Sequence, residues 1–485
     1  MTLGIILTYL IPILLWSLTV AITIRILTKN LSVSATLSWL MMIYLIPAIG
    51  IIAYLILGEI KLGKQHLSRA EKLKPHYVEW FGKVSQCPHL VHQNNDLKFS
   101  PIFDLVQKRL NIPCVVGNEL HILDNPESII HSIIHDINQA QYSINMVFYI
   151  WHNEGLIEQV SQALIAAHQR GVKVLILLDY VGSRPFLKSA ICQQLCQAGI
   201  EIHDALHVNL FRIFISRIDV RQHRKIIVID NQISYTGSMN MVDPKFFKQD
   251  SHVGEWVDIM VRINGPVSTI FNSLQAWDWE IETNQQLEVE LPTCSPIALD
   301  KDNSHAVQIL ATGPGFPDDL MAQSLSIVIY SARKSISITS PYFVPSSNVA
   351  EALRVAALRG VEVSIILPRK NDSLMVGWAS RTYFDELLSA GVNIYFFENG
   401  LLHTKSVLID NQLALVGTVN MDIRSFMLNF EVTMLVEDQS FANEIDILHE
   451  SYLAKAIPLN AQKWRNRPWY QRLIERLFFM FSPLL

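Results

Sequence analysis

The sequence predicts an α/β protein: two duplicated α/β repeats packed as a pseudo-dimer, preceded by a two-helix transmembrane hairpin. Three observations carry this. First, a His-x-Lys motif at His223 and Lys225 returns at His403 and Lys405. In both copies six residues separate a following aspartate (Asp230, Asp410) from a glycine (Gly237, Gly417). Second, the segments ahead of the motifs recur in the same order: Arg170-Gly171-Val172 is echoed by Arg359-Gly360-Val361, and Ala198-Gly199 by Ala390-Gly391. Matching order with drifting spacing is what a duplicated domain with loop insertions produces. Third, two long stretches near the N-terminus carry no charge.

Residues 1–60 read as the membrane hairpin, with spans at about 3–24 and 37–57, each long enough to cross a bilayer as a helix. Pro12 and Pro47 are expected to kink them, which membrane helices tolerate. A cleaved signal peptide is disfavoured by the length, the missing basic n-region and the second apolar stretch that follows at once. Lys61, Lys64, Arg69, Lys72 and Lys74 crowd the exit of the second span, against Arg25 and Lys29 between the spans. The positive-inside rule then puts the body in the cytoplasm. Cys87, Cys114, Cys192, Cys196 and Cys294 make an odd, scattered set, a poor disulfide framework that fits a reducing compartment. Cys192 and Cys196 read as ordinary thiols.

Residues 61–115 are expected to form a polar connector, 116–292 the first repeat, 304–460 the second and 461–485 a basic aromatic tail. The seam falls near Pro292 to Ser304. In the first repeat Glu119 to Leu123, Ser143 to Ile150 and Val172 to Leu178 have strand character. Pro126 to Ala140, capped near Asn125, and Leu156 to Gln169 have helical character. Ala205 to Asp219 is a longer arm than its counterpart. The tail mixes Lys463, Trp464, Arg465 and Trp469 with apolar residues. It suits either the headgroup region of a membrane or a last helix packed on the body. The net charge of −5 gives no reason to expect nucleic acid as a partner.

Ile226 to Ile229 is apolar and β-branched, so His223 and Lys225 belong at the start of a strand and face one way. Asp230-Asn231 turns the chain, and the return strand brings Ser238 and Asn240 back beside the pair. The second copy does the same with His403, Lys405, Thr418 and Asn420. If the motifs face each other, one cavity gathers two imidazoles, two ammoniums, two amides and two hydroxyls. That set suits phosphodiester chemistry. Lysine and amide donors offset charge on the non-bridging oxygens, one neutral imidazole attacks phosphorus, and the other gives a proton to the leaving oxygen. No metal or other cofactor is called for.

A histidine used this way needs a carboxylate to set its tautomer. Glu431 serves the second copy in this reading and Asp258 the first, with Glu255 as its alternative. A lone His-x-Lys would more often be a solvated edge pair, and it is the duplication that defeats that bland reading. It does not defeat it for Asp230 and Asp410. They complete the candidate catalytic set as motif residues, but are good turn formers and are expected to be more structural than chemical.

The pattern His-x-Lys-x4-Asp-x6-Gly-Ser-x-Asn, complete at 223–240 and repeated with Thr418 for serine, resembles the signature of the phospholipase D superfamily. Within it the chain is similar to bacterial cardiolipin synthases of the A type. Supporting stretches are Met146 to Trp151, Arg221 to Lys225, Tyr235 to Pro244, Pro341 to Pro345, Leu367 to Ser373 and Gly400 to Val407. The resemblance implies two phospholipase D-like repeats and a membrane enzyme that joins two phosphatidylglycerols into cardiolipin and releases glycerol through a phosphatidyl-histidine. It favours His223 as nucleophile and His403 as acid/base, though the near symmetry leaves both assignments open. A phospholipase D that hydrolyses lipid to phosphatidic acid is the nearest rival, followed by a nuclease and a non-catalytic membrane scaffold. Tyr149, Trp151, Tyr342 and Phe343 suit either a lipid path or the core.

Overall fold

The computed structural model describes residues 2–29, 33–58, 64–92, 97–207, 219–293 and 304–480. Lys61, Cys294, residues 481–485, most of the arm Ala205 to Asp219 and nearly all of the seam Pro292 to Ser304 lie outside them. The chain divides into two compact units. One holds the N-terminus to Ser68 together with Val208–Val220, and the other holds the rest.

In the first unit α1 (Thr2–Leu27) is followed by α2 (Val33–Leu45) and α3 (Pro47–Leu57). Among the described residues only Tyr9–Leu27 is a helix long and apolar enough to cross a membrane. The expected second span is broken at Ile46, because Pro47 has no N–H to continue the ladder and starts a new helix instead. The break is sharp. Trp39 and Tyr54 meet edge to face at 5.3 Å, whereas a straight helix would hold them about 22 Å apart. Ile22, Ile26, Ile43, Ile51 and Tyr54 are buried where the three helices meet.

The second unit carries the duplication. Its first repeat contributes β1 (Val115–Leu123), β2 (Ser143–Phe148), β3 (Lys173–Asp179), β4 (Glu201–Ala205), β5 (Ile226–Ile229), β6 (Ile233–Gly237), β7 (Trp256–Val257) and β8 (Met260–Asn264). The second contributes β9 (His305–Thr312), β10 (Ser335–Thr339), β11 (Phe343–Val344), β12 (Glu362–Pro368), β13 (Asn393–Phe397), β14 (Leu401–Leu402), β15 (Ser406–Ile409), β16 (Leu413–Gly417), β17 (Met421–Asp422), β18 (Glu431–Glu437) and β19 (Ala456–Pro458). One sheet runs through both in the order β19-β13-β12-β10-β15-β16-β18-β9-β1-β8-β6-β5-β2-β3-β4. Read outward from the β1–β9 junction, the halves repeat the same order, and β19 is an addition at one edge.

β5 is Ile-Ile-Val-Ile with every residue buried, the composition of a strand covered on both faces. Asp230 and Asn231 both take positive φ, as do Asp410 and Asn411, giving the mirror-image turn that matches hairpin twist. Helices Pro126–Gln139 and Leu156–Gln169 bury Ile129, Ile133, Val160 and Leu164 against one face of the first repeat.

Two expectations need correcting here, and one open alternative narrows. The stretch expected as a polar connector supplies core from Arg69 onward: Trp80, Phe81, Ile102 and Phe103 are buried, and Arg69 donates to Ile281 O at 2.6 Å. Trp151 and Phe343 are 2% and 1% exposed and pack in the core. Cys114, Cys192 and Cys196 are free, but Cys87 is disulfide-bonded, which removes the cysteine argument for a reducing compartment.

Candidate active site

The two motifs meet through a backbone exchange between the repeats. β14, just ahead of His403, pairs in parallel with β7, with Leu402 opposite Val257. His403 N donates to Val257 O at 2.8 Å. In the other half Gln222 bridges Phe430 in parallel, and His223 N donates to Phe430 O at 3.0 Å. One residue further along, these registers set His403 beside Asp258 and His223 beside Glu431.

The side chains complete what the registers start. His403 Nδ1 lies 2.7 Å from Asp258 Oδ1, and His223 Nδ1 lies 2.9 Å from Glu431 Oε2. Each carboxylate therefore orients the histidine of the opposite repeat. This corrects the expectation that Asp258 serves His223 and Glu431 serves His403. Glu255, the alternative acid, contributes only its backbone carbonyl, to Leu401 N. With Nδ1 engaged, Nε2 is the ring nitrogen left for chemistry.

The expected supporting hydroxyls act on the carboxylates. Ser238 Oγ donates to Asp258 Oδ1 at 2.6 Å, and Thr418 Oγ1 donates to Glu431 Oε2 at 2.5 Å. Gly237 and Gly417 make this possible by close packing: a Cβ there would sit 2.3 Å from Ile259 O and 2.2 Å from Val432 O. Asn240 Oδ1 accepts from Ile150 N, whereas Asn420 Oδ1 is buried without a hydrogen-bond partner among the described residues.

Lys225 and Lys405 are both buried, each folding its Nζ onto the carbonyl of the histidine two residues before it, at 2.8 and 2.6 Å. Burial pushes them down to about 7 and about 8. Burial also holds His223 well below its ordinary value and His403 down to about 4; nearby lysines push both the same way, while Asp258 pulls His403 back up in part. Both rings are thus neutral at neutral pH, and His223 feels Lys405 and His403 of the other repeat. The two acids differ. Burial drives Glu431 up to about 8, only partly offset by Lys225. Burial raises Asp258 too, but His403, Lys405 and the Ser238 hydroxyl together outweigh it and leave Asp258 below the usual carboxylate range.

Asp230 and Asp410 do not join this group. Asp230 accepts from the backbone N–H of Gln141, Tyr142 and Ser143. Asp410 accepts from those of Arg333, Lys334 and Ser335. They sit at the far end of the motif strand, about 16 Å from the lysine, and pin the hairpin to the start of the neighbouring strand.

Tyr149, one of the aromatics the sequence offered for a lipid path or the core, packs 5.0 Å from the His223 ring. Several other residues escaped the sequence reading. Trp256 packs 4.2 Å from the His403 ring. Asp179 accepts from Gln222 N, and burial raises it to about 6. Arg224, between His223 and Lys225, points the other way and pairs with Asp278 at 2.6 and 2.7 Å. Trp256 stands two residues before Asp258 and could have been suspected; the others carry no local signal. Among the described residues no three His, Cys, Asp or Glu side chains gather as metal ligands.

A family model described as cardiolipin synthase, PLD-like domain, matches residues 133–273 and 325–451, one motif in each segment. The chain belongs to the cardiolipin synthase family. It is a phosphatidyltransferase of the phospholipase D-like fold. A second model, described as phospholipase D-nuclease N-terminal, matches residues 17–59. Cardiolipin synthase A of Edwardsiella ictaluri is 47% identical over 97% of both chains, and that of Pectobacterium carotovorum is 48% identical over the same shares. Among solved structures, the phosphatidylserine synthase of Haemophilus influenzae superposes with a TM-score of 0.58 at 15% identity. The match covers 79% of this chain and 98% of that one, a likeness of fold.

Proposed function

We propose that the enzyme transfers a phosphatidyl group from one phosphatidylglycerol to a hydroxyl of a second, giving cardiolipin and glycerol. The observation that carries this reading is the pair of crossed His–carboxylate contacts, each with a buried lysine beside it. His223 Nε2 attacks phosphorus, and the glycerol oxygen leaves with a proton from His403, giving a phosphatidyl-histidine. His403 then takes the proton of the second lipid's hydroxyl, whose oxygen attacks phosphorus and displaces His223. Lys225 and Lys405 offset the charge that builds on the non-bridging oxygens. An entering phosphodiester brings negative charge that counters the cationic crowding and favours protonation of one imidazole. The ionised Asp258 makes His403 the better proton carrier, which leaves His223 as nucleophile.

The membrane placement belongs to the same reading. α1 crosses the bilayer and the bent pair α2–α3 lodges in it, making the chain multi-pass or re-entrant. The excess of lysine and arginine after residue 60 keeps the catalytic body cytoplasmic.

Purified full-length protein given phosphatidylglycerol should yield cardiolipin and glycerol in equal amounts, and His223→Ala or His403→Ala should abolish both. Phosphatidic acid as the sole product would replace transfer by hydrolysis. Quenched enzyme should carry its adduct on the peptide holding His223; an adduct on His403 would reverse the roles.

A further inference from the structure

A cavity of about 450 Å³ lies in the second repeat, and no motif residue lines it. Its polar wall includes Arg369, Asn371, Ser373 and Arg381, and its aromatic wall Trp378 and Trp464. The Arg381 guanidinium stacks 4.6 Å from the Trp378 ring and 5.9 Å from Trp464. No hydrogen-bond or ion-pair partner satisfies it among the described residues. The acid whose charge acts on it, Glu475, is already taken: both its oxygens accept from Arg467, at 2.7 to 3.2 Å, and Arg467 also holds Asp385. Arg369 reaches only Glu398, loosely at 3.8 Å. Arg381 thus faces a roomy cavity without a counter-charge, and Arg369, 55% exposed, stands in the same wall with only that loose pair, a state that an anion relieves through charge-assisted hydrogen bonds.

A second observation identifies the source of that anion. Helix Trp469–Phe479 packs on the two helices that wall the cavity, with Phe478 on Trp378 and Phe479 on Tyr383. Its other face is bare: Trp469, Leu473, Leu477 and Met480 are 75%, 51%, 51% and 75% exposed. This is an apolar stripe at helical spacing, and Arg472 and Arg476 stand on the same helix. Such a helix suits the interface of an anionic bilayer.

We propose that this cavity is a second lipid site, separate from the catalytic one. It takes the headgroup phosphate of an anionic phospholipid on Arg369 and Arg381, while the helix beside it rests on the bilayer. The proposal does not depend on which reaction the histidines perform.

The test uses full-length protein carrying His403→Ala, so that no lipid is consumed. In detergent it is offered equal phosphatidylglycerol and phosphatidylcholine, and retained lipids are counted by native mass spectrometry. Arg369→Gln with Arg381→Gln should hold one anionic lipid fewer and bind it at least about tenfold more weakly. Arg381→Lys, which keeps the charge, should retain most of the binding and serves as the folding control. An unchanged count in the glutamine pair would overturn the site. Competition with sn-glycerol 3-phosphate separates the sources: the lipid should persist, and its displacement would assign the cavity to soluble phosphate esters and overturn the lipid reading. Leu473→Asp with Leu477→Asp should weaken binding to phosphatidylglycerol vesicles, and undiminished binding would overturn the bilayer contact.

Discussion

Asp258, in the first repeat, sits 2.7 Å from Nδ1 of His403, in the second. Glu431 answers from the second repeat to His223 in the first. Neither half sets its own histidine, so on the proposed mechanism the pseudo-dimer is the smallest complete catalytic unit.

Asp258→Asn should therefore disturb His403. With nitrogen-labelled histidines, the Nδ1–H resonance of His403 is expected to move while that of His223 stays. Activity should fall by about 10²–10⁴, the range for a lost acid–base partner. A change confined to His223 would reject the crossed pairing.

The buried lysines set a pH limit. Each stabilises phosphate only when protonated, so activity is present below its pKa and lost as pH rises through it. With Lys225 down at about 7 and Lys405 at about 8, kcat/KM should decline between about pH 7 and 8. An ordinary lysine would place that limb above about 10. A profile flat to pH 9 would show that burial does not control these charges.

Asp230 and Asp410 hold backbone, and the proposed transfer does not use them. Asp230→Ala leaves three N–H groups without their acceptor and should cost about 1–3 kcal/mol of stability. Thermal melting should register the loss, while turnover per folded molecule stays near that of the unaltered enzyme. A folded but inactive variant would return Asp230 to the chemistry.

Arg224 and Asp278 form a fully buried pair beneath the site. Arg224→Met strands the Asp278 carboxylate and should cost about 3–5 kcal/mol. Adding Asp278→Leu should recover much of it. Equal instability in the double variant would show that the arginine acts through packing on Phe316 and Phe430.

Much of this was legible in the linear order. The buried Ile-Ile-Val-Ile strand, the Asp-Asn turn and the return to Ser238 follow from side-chain period and turn chemistry. They repeat at 406–418 because the pattern repeats. The break at Pro47 was foreseen as a kink, but its sharpness was not, since the contact of Trp39 with Tyr54 depends on how three helices pack. The cavity arginines were invisible for a similar reason: whether Arg381 finds a partner depends on Arg467 having already engaged Glu475.

From sequence alone come the two repeats, the motif residues, the carboxylates Asp258 and Glu431 as orienting acids, and the family. Local rules suffice for these, because strand period and turn geometry act over a few residues. The tertiary structure decided which acid serves which histidine. That choice rests on the parallel pairing of Leu402 with Val257 and of Gln222 with Phe430. These contacts join residues far apart in the chain, so no local spacing encodes them.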